Sequence, residues 1–334
     1  MNNKKSIYVI LLLIAFFYSC NSNPLDIKLE NKKVSINFIN ADQQLYNQSL
    51  SDIQKNIKTL THQLGDLFSY ELSQNIRQNI DDSSYRAIYH FYNSEYIRDL
   101  EKEKAKLHSL LPKHEENINK AFQYLAHHFG DSVLPDHIFY LNKMFSQVSC
   151  SENSIAVGLE SYISPLSPVI ESIPSSQLYG WQRERMDIKY LERDILLNWI
   201  QVQLFNEIDG NLAEHLVQAG KILYVLNAAF PQTKDAYILR YSDTQMDWAI
   251  QNELPVWNYL VEQQLLFKSD MQTRTNFLNE GPKTVGLSDD APDRIGQFLG
   301  YRIVKGYMNK NKALSLPELL DVKYNIILQT YEID

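Results

Sequence analysis

Two segments decide the fold: NLAEHLVQAGKILYVLNAAFP at residues 211–231 and SDDAPDRIGQFLGYRIVKGYM at residues 288–308. In the first segment, apolar residues recur three or four positions apart, which predicts a helix with one apolar face. That face carries Leu212, Leu216, Ala219, Leu223 and Leu226. Asn211 can cap the helix, and Glu214 stands three residues later, as in a variant capping box.

The second segment predicts another helix, with Pro292 suited to its first turn. Its apolar positions are Ile295, Leu299 and Ile303. Gly296 and Gly300 leave the backbone bare one turn apart, so we expect a neighbouring helix or strand to approach closely there.

The remaining pattern is also mainly helical. Residues 41–130 contain few Gly or Pro, and 188–202, 246–267 and 313–329 predict further helices, with Pro255 expected to kink the second of these three. Residues 34–39 alternate apolar and polar, and 137–141 with 154–159 are typical of a hairpin. The predicted fold class is α+β, mainly α-helical, with a small N-terminal β-sheet.

The first 20 residues predict a bacterial lipoprotein leader. Lys4 and Lys5 precede an apolar run at 7–18 that is short for a membrane span, and Ser19-Cys20 resembles a lipobox. We therefore expect a signal peptide at 1–19, lipidation of Cys20 and a polar tether over 20–33, before one domain at 34–334. The alternatives are a plain secretory signal and an N-terminal anchor helix.

Composition excludes some classes of protein. With 334 residues, 44% hydrophobic and 12% aromatic, the chain is long and apolar enough to bury a sizeable core. A net charge of −8 argues against a general nucleic-acid binder, which needs a basic face. The charged run EKEKAK at 101–106, and the charges at Arg183, Arg185, Asp187, Glu192 and Arg193, are interpreted as solvated surface.

Signatures of catalysis are absent from the sequence. The nearest string to a zinc-binding His-Glu-x-x-His is His114 to Ile118, which lacks the second histidine. No Gly-x-Ser-x-Gly, phosphate loop or dinucleotide fingerprint occurs. We therefore expect no cofactor and no metal site, and we interpret His127-His128 as a surface helix end.

Two charged residues stand on apolar faces rather than opposite them. Glu253 follows Ile250 by three positions, and Arg302 follows Leu299 by three. Because a lone buried charge costs several kcal/mol, we expect Glu253 and Arg302 to face each other, with Trp257 and Tyr224 alongside. The pair is either a structural ion pair or the polar floor of a groove that receives a partner segment.

An ordered set of motifs carries a family resemblance. GKILY at 220–224, YSDTQMDWAIQNELPVW at 241–257, LLF at 265–267 and PDRIGQFLGYRIVKGYM at 292–308 resemble the GldB family of gliding-motility lipoproteins of Bacteroidetes. The chain departs from the family pattern at Asp293 and Ala219. The resemblance implies a periplasm-facing lipoprotein required for gliding motility and linked to the type IX secretion machinery.

The family is also distantly similar to zinc peptidases of the gluzincin type. This similarity implies a degenerate zincin-like helical part at 180–330. The N-terminal helices and the small sheet would then occupy 34–163. The metal-binding helix would correspond to 191–195, where only Glu192 remains, and the third ligand to Ala219. This implies a non-catalytic protein whose old cleft binds another envelope protein, near Glu192, Lys221, Tyr224, Glu253, Trp257 and Arg302. The partners implied are the membrane, through the lipid, and other gliding and secretion proteins. The alternatives are a metallopeptidase-like hydrolase with non-standard ligands and a purely structural lipoprotein.

Overall fold

A computed structural model describes residues 23–29 and 33–332. It is an α+β structure, mainly helical, as predicted. The four strands are Asn37–Asn40 (β1), His137–Tyr140 (β2), Val148–Cys150 (β3) and Ser154–Val157 (β4). They form one sheet in the order β1-β2-β4-β3, in which β1, β2 and β4 are parallel and β3 is antiparallel to β4.

The hairpin predicted for 137–141 and 154–159 is wrong, because β2 and β4 run parallel, with His137 opposite Ser154. The hairpin instead joins β3 to β4. The short strand β3 lies in what the sequence pattern presents as a polar gap, so its pairing with β4 was not predicted.

The helices before, within and just after the sheet region form the N-terminal part. Their bounds are Ala41–Leu45 (α1), Leu50–Ile76 (α2), Tyr85–Tyr92 (α3), Glu95–Ala105 (α4), Leu111–Phe129 (α5), Pro168–Glu171 (α6) and Gly180–Arg183 (α7). Ile53, Ile57, Leu60 and Leu64 of α2 are buried and form the apolar face of this helix. Gly65 breaks the regular geometry of α2 at φ 71°.

The helices of the C-terminal part follow. Their bounds are Leu191–Leu204 (α8), Leu212–Ala229 (α9), Asp235–Leu239 (α10), Asp243–Gln251 (α11), Glu253–Glu262 (α12), Met271–Leu278 (α13), Ile295–Lys310 (α14), Leu316–Asp321 (α15) and Tyr324–Leu328 (α16). Short 3₁₀ turns occupy Asp131–Val133, Leu159–Tyr162, Ile188–Tyr190 and Leu265–Phe267.

Helices α9 and α14 are the two that the opening segments predict. The Asn211 side chain accepts a hydrogen bond from the Glu214 amide, so the predicted cap of α9 is present. From Gly220 onward every residue of α9 is buried, which makes it a central helix rather than one with a single apolar face. At Gly300 of α14, a Cβ would overlap the Leu216 carbonyl, which confirms the predicted close approach.

Two predicted helices are divided. The stretch 246–267 separates at Asn252 into α11 and α12, because a proline at 255 interferes with the carbonyl four residues earlier. The apolar face predicted to carry Ile250 and Glu253 is wrong, since Ile250 is about half exposed. The predicted helix at 313–329 is two short helices, α15 and α16.

One cluster of buried apolar side chains extends through both parts of the chain, from Leu25 to Ile327. Within residues 23–29 and 33–332, no helix has the length and apolar character needed to cross a membrane.

Candidate binding cleft

A cavity of about 300 Å³ opens beside the start of β3. On one side, its walls come from β3, the loop before β3 and the 3₁₀ turn after β4. On the other side, they come from α7, the loop after α7, α8 and the segment before α14. The lining includes Gln147, Val148, Ser161, Trp181, Arg185 and Glu280. The cavity therefore lies where the sheet edge meets the C-terminal helices.

In the described part of the chain, strand β3 has no strand paired to its outer edge, and it borders this cavity. It is the last strand in the sheet order among the described residues. Gly158 N donates to Gln147 O at 2.8 Å and Ser151 N donates to Ser154 O at 2.9 Å, so residues 147 and 151 face β4. Because alternate residues of an antiparallel strand face its partner, Val148 and Cys150 direct their N–H and C=O groups outward.

Arg185 forms the charged wall of the cleft. Its Nη2 lies 2.6 Å from Asp293 Oδ2, its Nη1 lies 3.6 Å from Glu280 Oε2, and its guanidinium stands 5.1 Å from the centre of the Trp181 ring. Arginines 185 and 294 together lower the pKa of Asp293, against the opposing effect of burial. Arg185 was predicted to be surface, but its side chain is only 15% exposed.

A second buried ion cluster lies beside the cleft and is centred on Asp194 of α8. Asp194 Oδ1 contacts Arg193 Nη1 at 2.9 Å, and Asp194 Oδ2 contacts Arg240 Nη1 at 2.7 Å. Tyr162 donates its hydroxyl to Asp194 Oδ2 at 3.2 Å, and burial raises the pKa of that tyrosine. The prediction that Arg193 is solvated is therefore wrong; its side chain is 2% exposed.

Arg240 connects this cluster to the cleft wall. Its Nη1 donates to Gln147 Oε1 at 3.2 Å, and its Nη2 donates to the Arg185 carbonyl at 2.7 Å. The Asp194 carboxylate is thus held between two arginines and a tyrosine. Such a carboxylate is well placed to position its neighbours.

Ser161 carries a polar atom that the described residues leave unpaired. The residue is 3% exposed and lines the cleft, and its Oγ has no hydrogen-bond partner in the described part of the chain. A buried hydroxyl without a hydrogen-bond partner destabilises the folded protein. A ligand group that forms a hydrogen bond with it would remove this cost.

The predicted pair of Glu253 and Arg302 is present. Arg302 Nε donates to Glu253 Oε2 at 3.0 Å and to Oε1 at 3.2 Å. A third member, Tyr331, was not predicted; its hydroxyl donates to Glu253 Oε1 at 2.7 Å. Trp257 lies alongside as predicted, with its ring centre 5.0 Å from that of Tyr331. A separate cavity of about 260 Å³ is lined by Glu253, Arg302 and Tyr331.

The C-terminal segment also provides the hydrogen-bond partners of Lys221. Its Nζ donates to the carbonyls of Leu320 at 2.8 Å and Val322 at 2.6 Å, at the end of α15. Burial lowers the pKa of Lys221 to about 8. Tyr224, one turn later on α9, is 3% exposed, and burial raises its pKa to about 12.

Glu192 lies in a different place from the Glu253 pair. It accepts hydrogen bonds from His114 Nδ1 at 2.9 Å and Asn117 Nδ2 at 2.7 Å. It lines a third cavity, of about 190 Å³, with Phe230 and Gln232. The six residues expected to form one cleft are thus distributed over more than one surface, with Glu192 in one cavity and Glu253 and Arg302 in another.

The side chains that could bind a metal ion lie apart from one another in the described part of the chain. Within 23–29 and 33–332, no three His, Cys, Asp or Glu side chains are grouped closely enough to hold a metal ion. Cys150 lies in β3, and burial raises the pKa of its thiol to about 12, which keeps it protonated. Cys20, the predicted lipidation site, lies outside the described residues.

Comparison with known proteins gives one result. Neither the curated proteins nor the solved structures searched include a match to this chain. The family model for gliding motility protein GldB matches residues 22–332, which is nearly the whole of the sequence after the predicted leader. The chain therefore belongs to the GldB family of gliding motility lipoproteins.

Proposed function

We propose that this chain is a lipid-anchored, periplasm-facing component of the gliding motility and type IX secretion machinery that binds an extended segment of another envelope protein. It would do so without catalysis. The observation that carries this proposal is the free edge of β3, which opens directly on the cleft of Trp181, Arg185 and Ser161.

A strand edge and a cavity beside it supply complementary parts of a peptide site. The outward N–H and C=O groups of Val148 and Cys150 can form hydrogen bonds with the main chain of an added strand. These bonds provide affinity that does not depend on the sequence of the partner. The cavity, with an indole on one wall and an unpaired hydroxyl on another, would take a side chain and supply specificity.

The charges near the cleft support binding rather than hydrolysis. The Asp194 and Asp293 carboxylates are each held by arginine, and nearby Glu280 also contacts arginine. A general acid or base must reach the reacting atoms of a substrate, whereas these carboxylates are engaged by arginine side chains. The alternative is a metallopeptidase-like hydrolase with non-standard ligands. It predicts zinc near one per chain in the purified 21–334 fragment by elemental analysis, whereas the binding role predicts none at stoichiometric level.

The test uses Val148→Pro in a strain that lacks the native gene. The substitution removes an N–H that points away from β4, so the β3–β4 hydrogen bonds remain. Val148→Ala is the matched control, because it shortens the side chain and keeps the N–H. We expect Val148→Pro to abolish surface spreading and reduce secretion at a normal protein level, and Val148→Ala to retain both.

Trp181→Ala provides a second variant that leaves the strand untouched, and we expect it to weaken spreading as well. Normal spreading by both Val148→Pro and Trp181→Ala, each present at the native level with an unchanged melting temperature, would refute the proposed site.

A further inference from the structure

We propose that the turn after α9, residues 230–234, lies against the membrane surface among phospholipid headgroups. This inference rests on the lipid anchor at Cys20 within the proposed function. It concerns how the domain is oriented on the membrane, which the anchor alone does not determine.

The chain just after the predicted anchor is docked on the domain. Asn23 Nδ2 donates to the Pro231 carbonyl at 2.6 Å, and Leu25 is only 6% exposed and belongs to the apolar core. The segment is folded as a turn, since Leu25 N donates to Asn23 Oδ1 at 3.1 Å and Asp26 N donates to Asn23 O at 2.9 Å. Residues 23–26, predicted to be part of a polar tether, are therefore fixed beside Pro231.

Covalent geometry then limits the distance to the bilayer. Asn23 lies three positions after Cys20, and an extended chain spans at most about 3.6 Å per position, or roughly 11 Å in all. A free tether over 20–33 would instead reach up to roughly 45 Å by the same measure. Acyl chains on Cys20 would hold that residue at the headgroup layer, so the Pro231 turn must lie close to it.

The exposed groups at the two ends of α9 favour the same orientation. Lys120, Gln232 and Lys234 are exposed near the turn, and their ammonium and amide groups can donate to lipid phosphates. The Thr233 hydroxyl already donates to the Phe230 carbonyl, and the exposed carboxylate of Asp26 accepts from Gln232 Nε2 at 3.5 Å. Before the opposite end, Glu207 and Asp209 are exposed, and carboxylates are repelled by phosphates. The 18 residues of α9 separate these ends by about 27 Å, at 1.5 Å per residue.

The test measures depth at each end of α9 in the full-length, lipid-modified protein. In a Cys150→Ser background, Gln232→Cys and Asp209→Cys each carry one fluorophore, and the protein is reconstituted in phosphatidylethanolamine and phosphatidylglycerol vesicles. Lipids that carry a nitroxide on the headgroup then quench the fluorescence of any fluorophore that they contact. We expect strong loss of fluorescence at position 232 and little at position 209.

An undocked variant separates orientation from anchoring. Asn23→Ala with Leu25→Asp should release the turn, so that position 232 loses its excess quenching while the protein still floats with the vesicles. Lys28→Ala is the matched control, because Lys28 is exposed. In this variant position 232 should still be quenched more strongly than position 209.

Equal quenching at positions 232 and 209, in protein whose N-terminal peptide carries the acyl mass, would overturn the orientation and leave the anchor intact. An N-terminal peptide without acyl mass would overturn both the orientation and the anchored function.

Discussion

Gly220 of α9 and Gly300 of α14 lie backbone to backbone where the two helices cross. A Cβ at Gly220 would overlap the Gly300 carbonyl, and a Cβ at Gly300 would overlap the Leu216 carbonyl. Neither obstacle is a flexible side chain that could move aside. The crossing holds the central helix against α14 and so connects the region of the Glu253 pair to the rest of the core.

Gly300→Ala should therefore destabilise the protein strongly. Overpacking a well-packed core typically costs 1–3 kcal/mol, and with main chain on both sides we expect about 3 kcal/mol or more in the free energy of unfolding. Gly306→Ala is the matched control in the same helix, because a Cβ there meets nothing within 4 Å. It should raise stability slightly. Chemical denaturation measures both, and a Gly300→Ala variant as stable as Gly306→Ala would contradict the close crossing.

Glu253→Ala should lower the melting temperature. Glu253 is 5% exposed and accepts hydrogen bonds from Arg302 and Tyr331, so its removal leaves the tyrosine hydroxyl without its partner. Since Arg302 is 36% exposed and can be rehydrated, we expect a loss of about 1–2 kcal/mol rather than that of a fully buried pair. Glu262→Ala, exposed at the end of the same helix, should change little. An unchanged melting temperature for Glu253→Ala would remove this pair from the interactions that stabilise the fold.

Glu160 should make stability depend on pH. It lies after β4 with 0% exposure, and burial raises its pKa to about 7 from an ordinary value of 4.5. Between those pH values the folded protein holds a proton that the unfolded chain has released. The contribution of Glu160 to the free energy of unfolding therefore falls as pH rises from 4.5 to 7, and is constant above that.

Glu160→Gln removes this titration while keeping a carbonyl oxygen in place of Oε1, which accepts from the Lys143 amide at 2.6 Å. The variant should gain stability relative to wild type as pH rises through this window, in denaturation curves recorded at several pH values. Glu171→Gln is the control for loss of a surface charge, since Glu171 is exposed. A difference between Glu160→Gln and wild type that stays constant from pH 4.5 to 7 would show that Glu160 is already ionised across this range.

Local patterns in the sequence predicted the elements that local forces determine. The spacing of Leu212 to Leu226, the Asn211 cap and the bare backbone at Gly300 each follow from residues within one or two helical turns. The pairing of Glu253 with Arg302 was also predicted, because a buried charge requires a partner and Glu253 is buried. The apolar face on which the sequence placed Glu253 is nevertheless wrong, since Ile250 is about half exposed.

Contacts between residues distant in sequence were not predictable in the same way. Lys104 belongs to a charged run that resembles a solvated face, yet it is 2% exposed and contacts Asp42 at 2.5 Å, 62 residues earlier. Tyr331 completes the Glu253 pair from 78 residues away. The position of β3 beside β4 depends on the sheet order, which periodicity does not contain. For that reason the cleft at Trp181 and Arg185 emerged only from the structure.

The most direct measurement of the central claim is photo-crosslinking at the cleft in living cells. A photoreactive phenylalanine replaces Trp181 at the cleft wall, or Trp248 on α11 as the matched control, since both indoles are partly buried. We expect a discrete adduct with another envelope protein from position 181, none from position 248, and loss of the adduct when Val148→Pro is added. No adduct from position 181, or the same adduct from both positions, would contradict a partner-binding cleft beside β3.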